Sequence, residues 1–170
     1  MASDTAIEAE PYRILPANWR DLRAIRRLEQ AAFGPDAYPW FEYLGLLTVP
    51  GVVNLKVVSA DGAVVGYVAG DARATEGVGW IVTIAVDAAH RRRGLGRQLL
   101  AACERAMAMP VVRLTVRASN EGAIALYARC GYRRRSIWPG YYKDGEDGLV
   151  MEKMMATEGE VVGRPRRAGR

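Results

Sequence analysis

Histidine, cysteine and long apolar runs are all scarce in this 170-residue chain, and each scarcity removes a class of protein. His90 is the only histidine, and it adjoins a run of arginines, where a solvated or anion-neighbouring residue is expected rather than a catalytic base. The two cysteines, Cys103 and Cys130, lie in helix-like patterns whose spacing supports no disulfide framework, and they are expected to pack in the core. Cys130 has no visible histidine partner, which argues against a covalent cysteine route. No metal site is expected. Charge or glycine interrupts every apolar run well short of the ~20 residues a membrane helix needs. The acidic, apolar-poor segment Met1–Glu10 does not read as a secretory signal, so a cytoplasmic location is expected.

What the chain does contain fits one enzyme-sized domain. Half of its residues are apolar, enough for a sizeable core at this length. Three parts are expected: a disordered segment at 1–10, a folded domain at 11–156, and a disordered basic tail at 157–170 with four arginines against two glutamates. The net charge of +5 is concentrated at 91–97, 129–135 and 164–170 rather than along one recognition helix, so no specific nucleic-acid role is read from it.

Its most informative stretch runs from Ile84 to Leu100. An apolar run, Trp80–Val86, read as a strand after Gly77-Val78-Gly79, enters the turn His90-Arg91-Arg92-Arg93-Gly94-Leu95-Gly96-Arg97 and then an amphipathic helix predicted over Arg97–Met109. A helix N-terminus offers unpaired N–H groups and a positive dipole end. Gly94 and Gly96 clear side chains where a phosphate must approach the backbone, and Arg91, Arg92, Arg93 and Arg97 add positive charge. The turn has no Gly-Lys-Ser/Thr ending for a triphosphate and neither third glycine nor acidic ribose partner for a dinucleotide. A diphosphate ligand is the expectation.

Hydrophobic spacing predicts a strand at Tyr12–Leu15, then a helix capped by Asn18 with Leu22, Ile25, Leu28 and Ala32 on its apolar face. Helix is expected again from Pro39 to Thr48. Strands follow at Val52–Ser59 and Val64–Ala72 around the turn Ala60-Asp61-Gly62, then at Val111–Val116, Arg133–Trp138 and Leu149–Met154. Helix Glu121–Cys130 lies between the strands at 111 and 133, with Gly131 at its C-terminal cap.

Arg91-Arg92-Arg93-Gly94-Leu95-Gly96 resembles the Arg/Gln-x-x-Gly-x-Gly/Ala signature of the GNAT superfamily of acetyl-CoA-dependent N-acetyltransferases. The block Leu114–Tyr132 resembles the same superfamily. Tyr141-Tyr142-Lys143-Asp144-Gly145-Glu146-Asp147-Gly148 narrows the resemblance to protein N-terminal acetyltransferases, especially the bacterial ribosomal-protein alanine N-acetyltransferase group. Together the blocks cover roughly Tyr12 to Lys153. The resemblance implies an α/β GNAT fold, a twisted mixed sheet of about seven strands with about four helices, and acetyl-CoA as cosubstrate without a metal.

Carried over by motif, Ile84, Ala85 and Val86 would lie along the cofactor, with the Val86 N–H as oxyanion donor. Leu95, with the arginines and glycines of the turn, would hold the phosphates. Asn120 would touch the cofactor or serve only as a helix cap. Tyr127, two turns on from Asn120, would be the general acid towards the departing thiolate, whose intrinsic pKa lies near ~8.5. Where bacterial relatives carry a glutamate base this chain has Thr115, which cannot act as one at neutral pH; a water held by Thr115 is one substitute. Asp36, in Phe33-Gly34-Pro35-Asp36-Ala37-Tyr38, falls on a glutamate of the eukaryotic N-terminal enzymes and is the other, with a loop role as its alternative. Phe33, Tyr38, Tyr141 and Tyr142 would frame the acceptor, with Trp40 either beside them or packed on a sheet edge.

The activity implied is direct acetyl transfer to the α-amino group of a protein or peptide, with a ribosomal protein among the conceivable acceptors. An α-amine, with an intrinsic pKa near ~7.7–8.0, needs less help from a base than lysine near ~10.4. A lysine or small-amine acetyltransferase, or an acyl-CoA-binding regulatory module that has lost its base at Thr115, are the other readings.

Overall fold

In the structure, a computed structural model describing residues 11–156, local sequence signals are already visible in the first thirty residues of the domain. The segments 1–10 and 157–170, expected to be disordered, lie outside the described residues. Strand β1 (Tyr12–Pro16) leads into a single 3-10 turn, Trp19–Asp21, that runs directly into helix α1 (Leu22–Phe33). Asn18 caps that turn: its side chain accepts from the Arg20 N–H, and the Asp21 carboxylate accepts from the Asn18 N–H. The cap therefore acts one turn before the α-helix proper.

Helix α2 (Trp40–Thr48) follows, then strands β2 (Val52–Ser59), β3 (Val64–Arg73) and β4 (Val78–Val86). The rest of the domain is α3 (Leu95–Met107), β5 (Val111–Arg117), α4 (Glu121–Arg129), β6 (Arg133–Trp138) and β7 (Gly148–Met154). Helix α3 begins two residues earlier than periodicity suggests, because Gly94 in the left-handed region starts it, and it ends at Met107, where Ala108 turns left-handed. Met109 is thus outside the helix.

The seven strands form one sheet in the order β1-β2-β3-β4-β5-β7-β6. Neighbours are antiparallel except β4 and β5, which α3 joins as a parallel crossover. Strand alternation divides the core between two faces. Val65, Ile81, Val112, Leu114 and Val116 pack under Leu99, Leu100, Cys103 and Met107 of α3 and Ile124 of α4. Tyr67, Ala69 and Ala85 face the other way, against Ile25 and Leu28 of α1 and Tyr43 of α2.

Two irregularities shape β4. Ala69 pairs with Thr83 but Gly70 pairs with Ile81, so Val82 is an extra residue bulged out of the ladder. Beyond that bulge β5 separates: β4 and β5 pair only from Val78 with Val111 to Ile81 with Leu114. The C-terminal halves of the two strands splay apart.

Close approach of α3 to the sheet depends on glycine at position 70. A Cβ there would stand 2.6 Å from both Cys103 Sγ and Met107 Sδ. Gly70→Ala is expected to destabilise the fold by about 1–3 kcal/mol through overpacking, read in urea as a lower midpoint with an unchanged slope.

Candidate active site

The end of β4 presents unpaired backbone to the splay. Asp87 N–H donates to Val65 O at 2.9 Å, so by antiparallel alternation Val86 and Ile84 turn their N–H and C=O away from β3. On that side β5 has already diverged. Arg91 Nε closes one of these groups by donating to Val86 O at 3.1 Å, which leaves the Val86 N–H directed into the gap. Ala85 departs from the sequence expectation: its backbone faces β3 and its side chain is buried under α1, so it is scaffold rather than ligand surface.

The chain then turns tightly into α3. Asp87 caps a 3-10 turn by accepting from Ala89 N–H, and Arg92 and Gly94 both adopt positive φ, 62° and 77°. Gln98 N to Gly94 O is the first helical hydrogen bond, so the N–H groups of Leu95, Gly96 and Arg97 precede the ladder at the dipole's positive end. Arg91, Arg92, Arg93 and Arg97 are exposed around them. Leu95 offers only its backbone, since its side chain is buried in the core. A Cβ on Gly96 would project to 3.9 Å from Leu126 and 4.0 Å from Val86, into the cradle between β4 and α4. Open N–H groups, arginines and a cradle kept free by glycine suit a diphosphate with an amide-bearing arm.

Tyr127 and Asn120 come from α4. Asn120 caps the helix, its Oδ1 accepting from Ala123 N–H at 3.1 Å, which leaves the amide N–H groups for any ligand contact. The Tyr127 ring is buried and meets Tyr132 edge-on at 6.0 Å. Burial pushes its phenol up to about 12, so it stays protonated across the neutral range. Among the described residues no protein group pairs with that hydroxyl and no buried polar atom is left unsatisfied, so the oxygen opens onto solvent.

The opposite wall of the splay is a clasp built on Arg117 at the end of β5. Its Nε donates to Asp36 Oδ2 at 2.8 Å, Nη2 reaches the same oxygen, and Nη1 holds Asp144 at 2.9 Å and also Glu146. The Asp36 carboxylate above all, with Glu146 and Asp144, keeps the guanidinium firmly charged. Lys143 Nζ adds a bond to Pro35 O at 3.2 Å. Through Arg117, Asp36 ties the α1–α2 loop to the β6–β7 loop, the position that its loop role calls for.

These loops bring most of the expected aromatic wall together. Tyr141 and Tyr142 meet edge-on at 5.1 Å, and the Arg117 guanidinium lies 4.2 Å over the Tyr142 ring. Tyr38 packs edge-on to Tyr43 at 6.1 Å; burial first, then the nearby Tyr141, raises its phenol pKa. Tyr142 is raised chiefly by burial, with Tyr127 among its electrostatic neighbours. Thr115 lies just past the last β5 residue that pairs with β4, its methyl 2.8 Å from where a Gly148 Cβ would stand. Phe33 and Trp40 are exposed, and Trp40 packs on Phe41 at 6.2 Å rather than on this wall. His90 sits edge-on to Tyr12 at 5.9 Å with its Nδ1 3.3 Å from Asp87, beside the arginine turn as expected.

One residue was missed. Glu29 is 1% exposed on the apolar face of α1, where it accepts from Thr83 Oγ1 at 2.8 and 2.9 Å and from the Tyr43 hydroxyl at 3.1 Å. The Tyr43 oxygen in turn accepts from Tyr38 N–H at 3.0 Å, so Glu29 joins β4 beside its bulge to the loop of Asp36. The signal was a carboxylate four residues after Ile25, on the buried stripe. Burial raises its pKa to about 7, opposed by the hydrogen bonds from Thr83 and Tyr43.

The chain belongs to the GNAT acetyltransferase family: residues 16–132 match the acetyltransferase (GNAT) family. It is therefore an N-acetyltransferase by class. An N-alpha-acetyltransferase of Sulfurisphaera tokodaii is 33% identical over 162 residues, covering 86% of this chain and 95% of the relative. The ribosomal protein bS18 alanine N-acetyltransferase of Salmonella typhimurium is 35% identical over 139 residues, 77% of this chain and 89% of its own. The crystal structure of the ribosomal-protein-S18-alanine N-acetyltransferase from Escherichia coli superposes with a TM-score of 0.78 at 26% identity, covering 90% of this chain and 99% of that one. Among the described residues no helix is long and apolar enough to cross a membrane, and no cluster of three metal-ligating side chains occurs.

Because the Glu29 carboxyl titrates higher in the folded protein than an ordinary glutamate near 4.5, its contribution to stability is complete below pH ~4.5 and is lost as pH rises through about 7. Glu29→Gln removes this dependence. The thermal stability of the native protein relative to the variant is expected to fall between about pH 4.5 and pH 8, by up to about 3 kcal/mol; a gap independent of pH would mean that Glu29 does not titrate in this range.

Proposed function

We propose that this protein transfers the acetyl group of acetyl-CoA to the α-amino group of a protein or peptide in a direct ternary complex. The observation that carries the reading is the splay itself: the unpaired Val86 N–H faces the gap, which is bordered by the protonated Tyr127 and by two tyrosine-bearing loops clasped through Arg117. The N-α-acetyltransferases among its relatives support the α-amine as acceptor.

The N–H groups of Leu95, Gly96 and Arg97, with Arg91, Arg92 and Arg93, would hold the CoA diphosphate, and Ile84 and Val86 the amides of its arm. Bound acetyl-CoA supplies the thioester carbonyl. The Val86 N–H donates to the oxyanion as the amine attacks, a role worth about 2.7–4 kcal/mol where single donors have been removed elsewhere. Tyr127 keeps its proton until negative charge develops on the departing sulfur, and gives it there. Asp36 is engaged by Arg117 and is not assigned the nucleophile's proton. An α-amine near ~7.7–8.0 supplies its own neutral fraction, and water beside Thr115 takes the remaining proton.

Mass spectrometry after incubation with acetyl-CoA tests this against peptides with a free N-terminus and blocked lysines, the reverse, and a polyamine. Product confined to free N-termini is expected. Product on lysine or polyamine alone would replace the α-amine, and CoA binding without product would make the chain a binding module. Tyr127→Phe should lower kcat by about 10²–10⁴-fold with CoA affinity nearly unchanged. The kcat/KM for a peptide should rise with pH and level off near the acceptor's own ~7.7–8.0, the profile of an unassisted amine.

A further inference from the structure

Aromatic packing continues well past the tyrosine pair. Trp138 stands 5.4 Å from Tyr141, and Trp80 stacks on Trp138 at 5.6 Å and 28°. All lie on one face of the sheet. Trp80 pairs with Arg113, and Gly148 pairs with both Arg117 and Trp138, so these side chains project to the same side. Gly148 is required here, because a Cβ would stand 3.0 Å from the Tyr141 ring. Arg113, Thr115 and Arg117, successive residues on that face of β5, therefore run beneath the row from Trp80 to Tyr142. Trp138 and Tyr141 remain 39% and 48% exposed.

Near this row is a cleft of about 470 Å³ between α2 and strands β2–β4, lined by Tyr38, Glu42, Leu46, Val52, Asp71 and Val82. Two of its lining residues reach the row. Tyr38 lies within electrostatic reach of Tyr141, and Asp71 binds Arg73 at 2.9 Å, whose guanidinium lies 5.9 Å from the Trp80 ring. The cationic flank is compensated: Arg73 is paired with Asp71, and Arg113 with Glu152 at 2.7 Å.

We infer that this cleft and the stacked Trp80–Trp138 pair form a downstream subsite that takes an apolar or aromatic side chain about three to five residues into the acceptor polypeptide. The inference rests on the N-terminal acceptor reading. Continuity selects the occupant, because a chain whose first residue sits between Tyr127 and Tyr142 has the aromatic row as its next surface. Centroid steps of 5.1, 5.4 and 5.6 Å along the row span at most about five residues of extended chain. Compensated arginines leave no net charge to favour an acidic side chain, whereas two indole faces favour an apolar or planar one.

The test compares kcat/KM for a tripeptide, heptapeptides carrying serine at positions three to five, and heptapeptides carrying leucine or tyrosine at one of those positions. The apolar heptapeptides should exceed the serine one by about five- to tenfold, chiefly through KM. Trp138→Ala should abolish that preference while leaving the tripeptide within about twofold, and Trp138→Phe should retain most of it; melting temperatures confirm that both variants fold. No preference in the native protein, or one that survives Trp138→Ala, overturns the subsite. Absence of tripeptide acetylation together with lysine acetylation overturns the N-terminal reading instead, so the two failures are distinguishable.

Discussion

Everything functional in this molecule depends on strand pairing that stops. β4 and β5 are parallel neighbours as far as Ile81 and Leu114, and a sheet that continued would satisfy the backbone of Ile84 and Val86 and bury it. The bulge at Val82 rotates the strand at the point where the partner is lost. What remains is edge-like backbone in the middle of a sheet. Such unpaired polar groups are costly when dry, and the fold accommodates them by opening a cleft in which water or a ligand completes them.

Two devices hold this opening in shape from either side. On the α1 side, Glu29 receives hydroxyl hydrogens from Thr83 and Tyr43, tying the helix to β4 next to the bulge. A carboxylate buried without a cation is an unusual choice for a structural pin, since burial pushes its pKa towards neutrality. On the β5 side, Arg117 gathers Asp36, Asp144 and Glu146 from two loops. Partly exposed pairs of this kind contribute little individually, and their value is geometric, because one planar guanidinium, helped by the Lys143–Pro35 hydrogen bond, sets the separation of two loops.

Tyr127, the acid of the proposed mechanism, illustrates how environment sets protonation. The Tyr127 ring is buried among apolar neighbours while its hydroxyl opens onto solvent, and desolvation raises its pKa rather than lowering it. It therefore holds its proton across the neutral range, as the proposed acid role requires. Asp36 shows the converse, a carboxylate positioned by motif for proton transfer but held by Arg117.

Much of the molecule was legible in one dimension. Period-two and helical spacing located the seven strands and four helices to within about three residues at their ends, two of which are set by the backbone of Gly94 and Ala108. The arginine–glycine turn, the position of Tyr127 and the tyrosine pair were equally readable, because each depends on residues close together in sequence. The roles of Asp36, Glu29, Ala85 and the Trp80–Trp138 stack were not, since each rests on a neighbour 54 to 81 positions away or on which side of a strand the backbone faces. Sequence by itself thus determined the elements, the turn and the chemical inventory, which follow from local sterics and hydrophobic spacing. Tertiary structure alone decided where β5 leaves β4, because loss of pairing depends on the packing of both strands at once and leaves no mark on either.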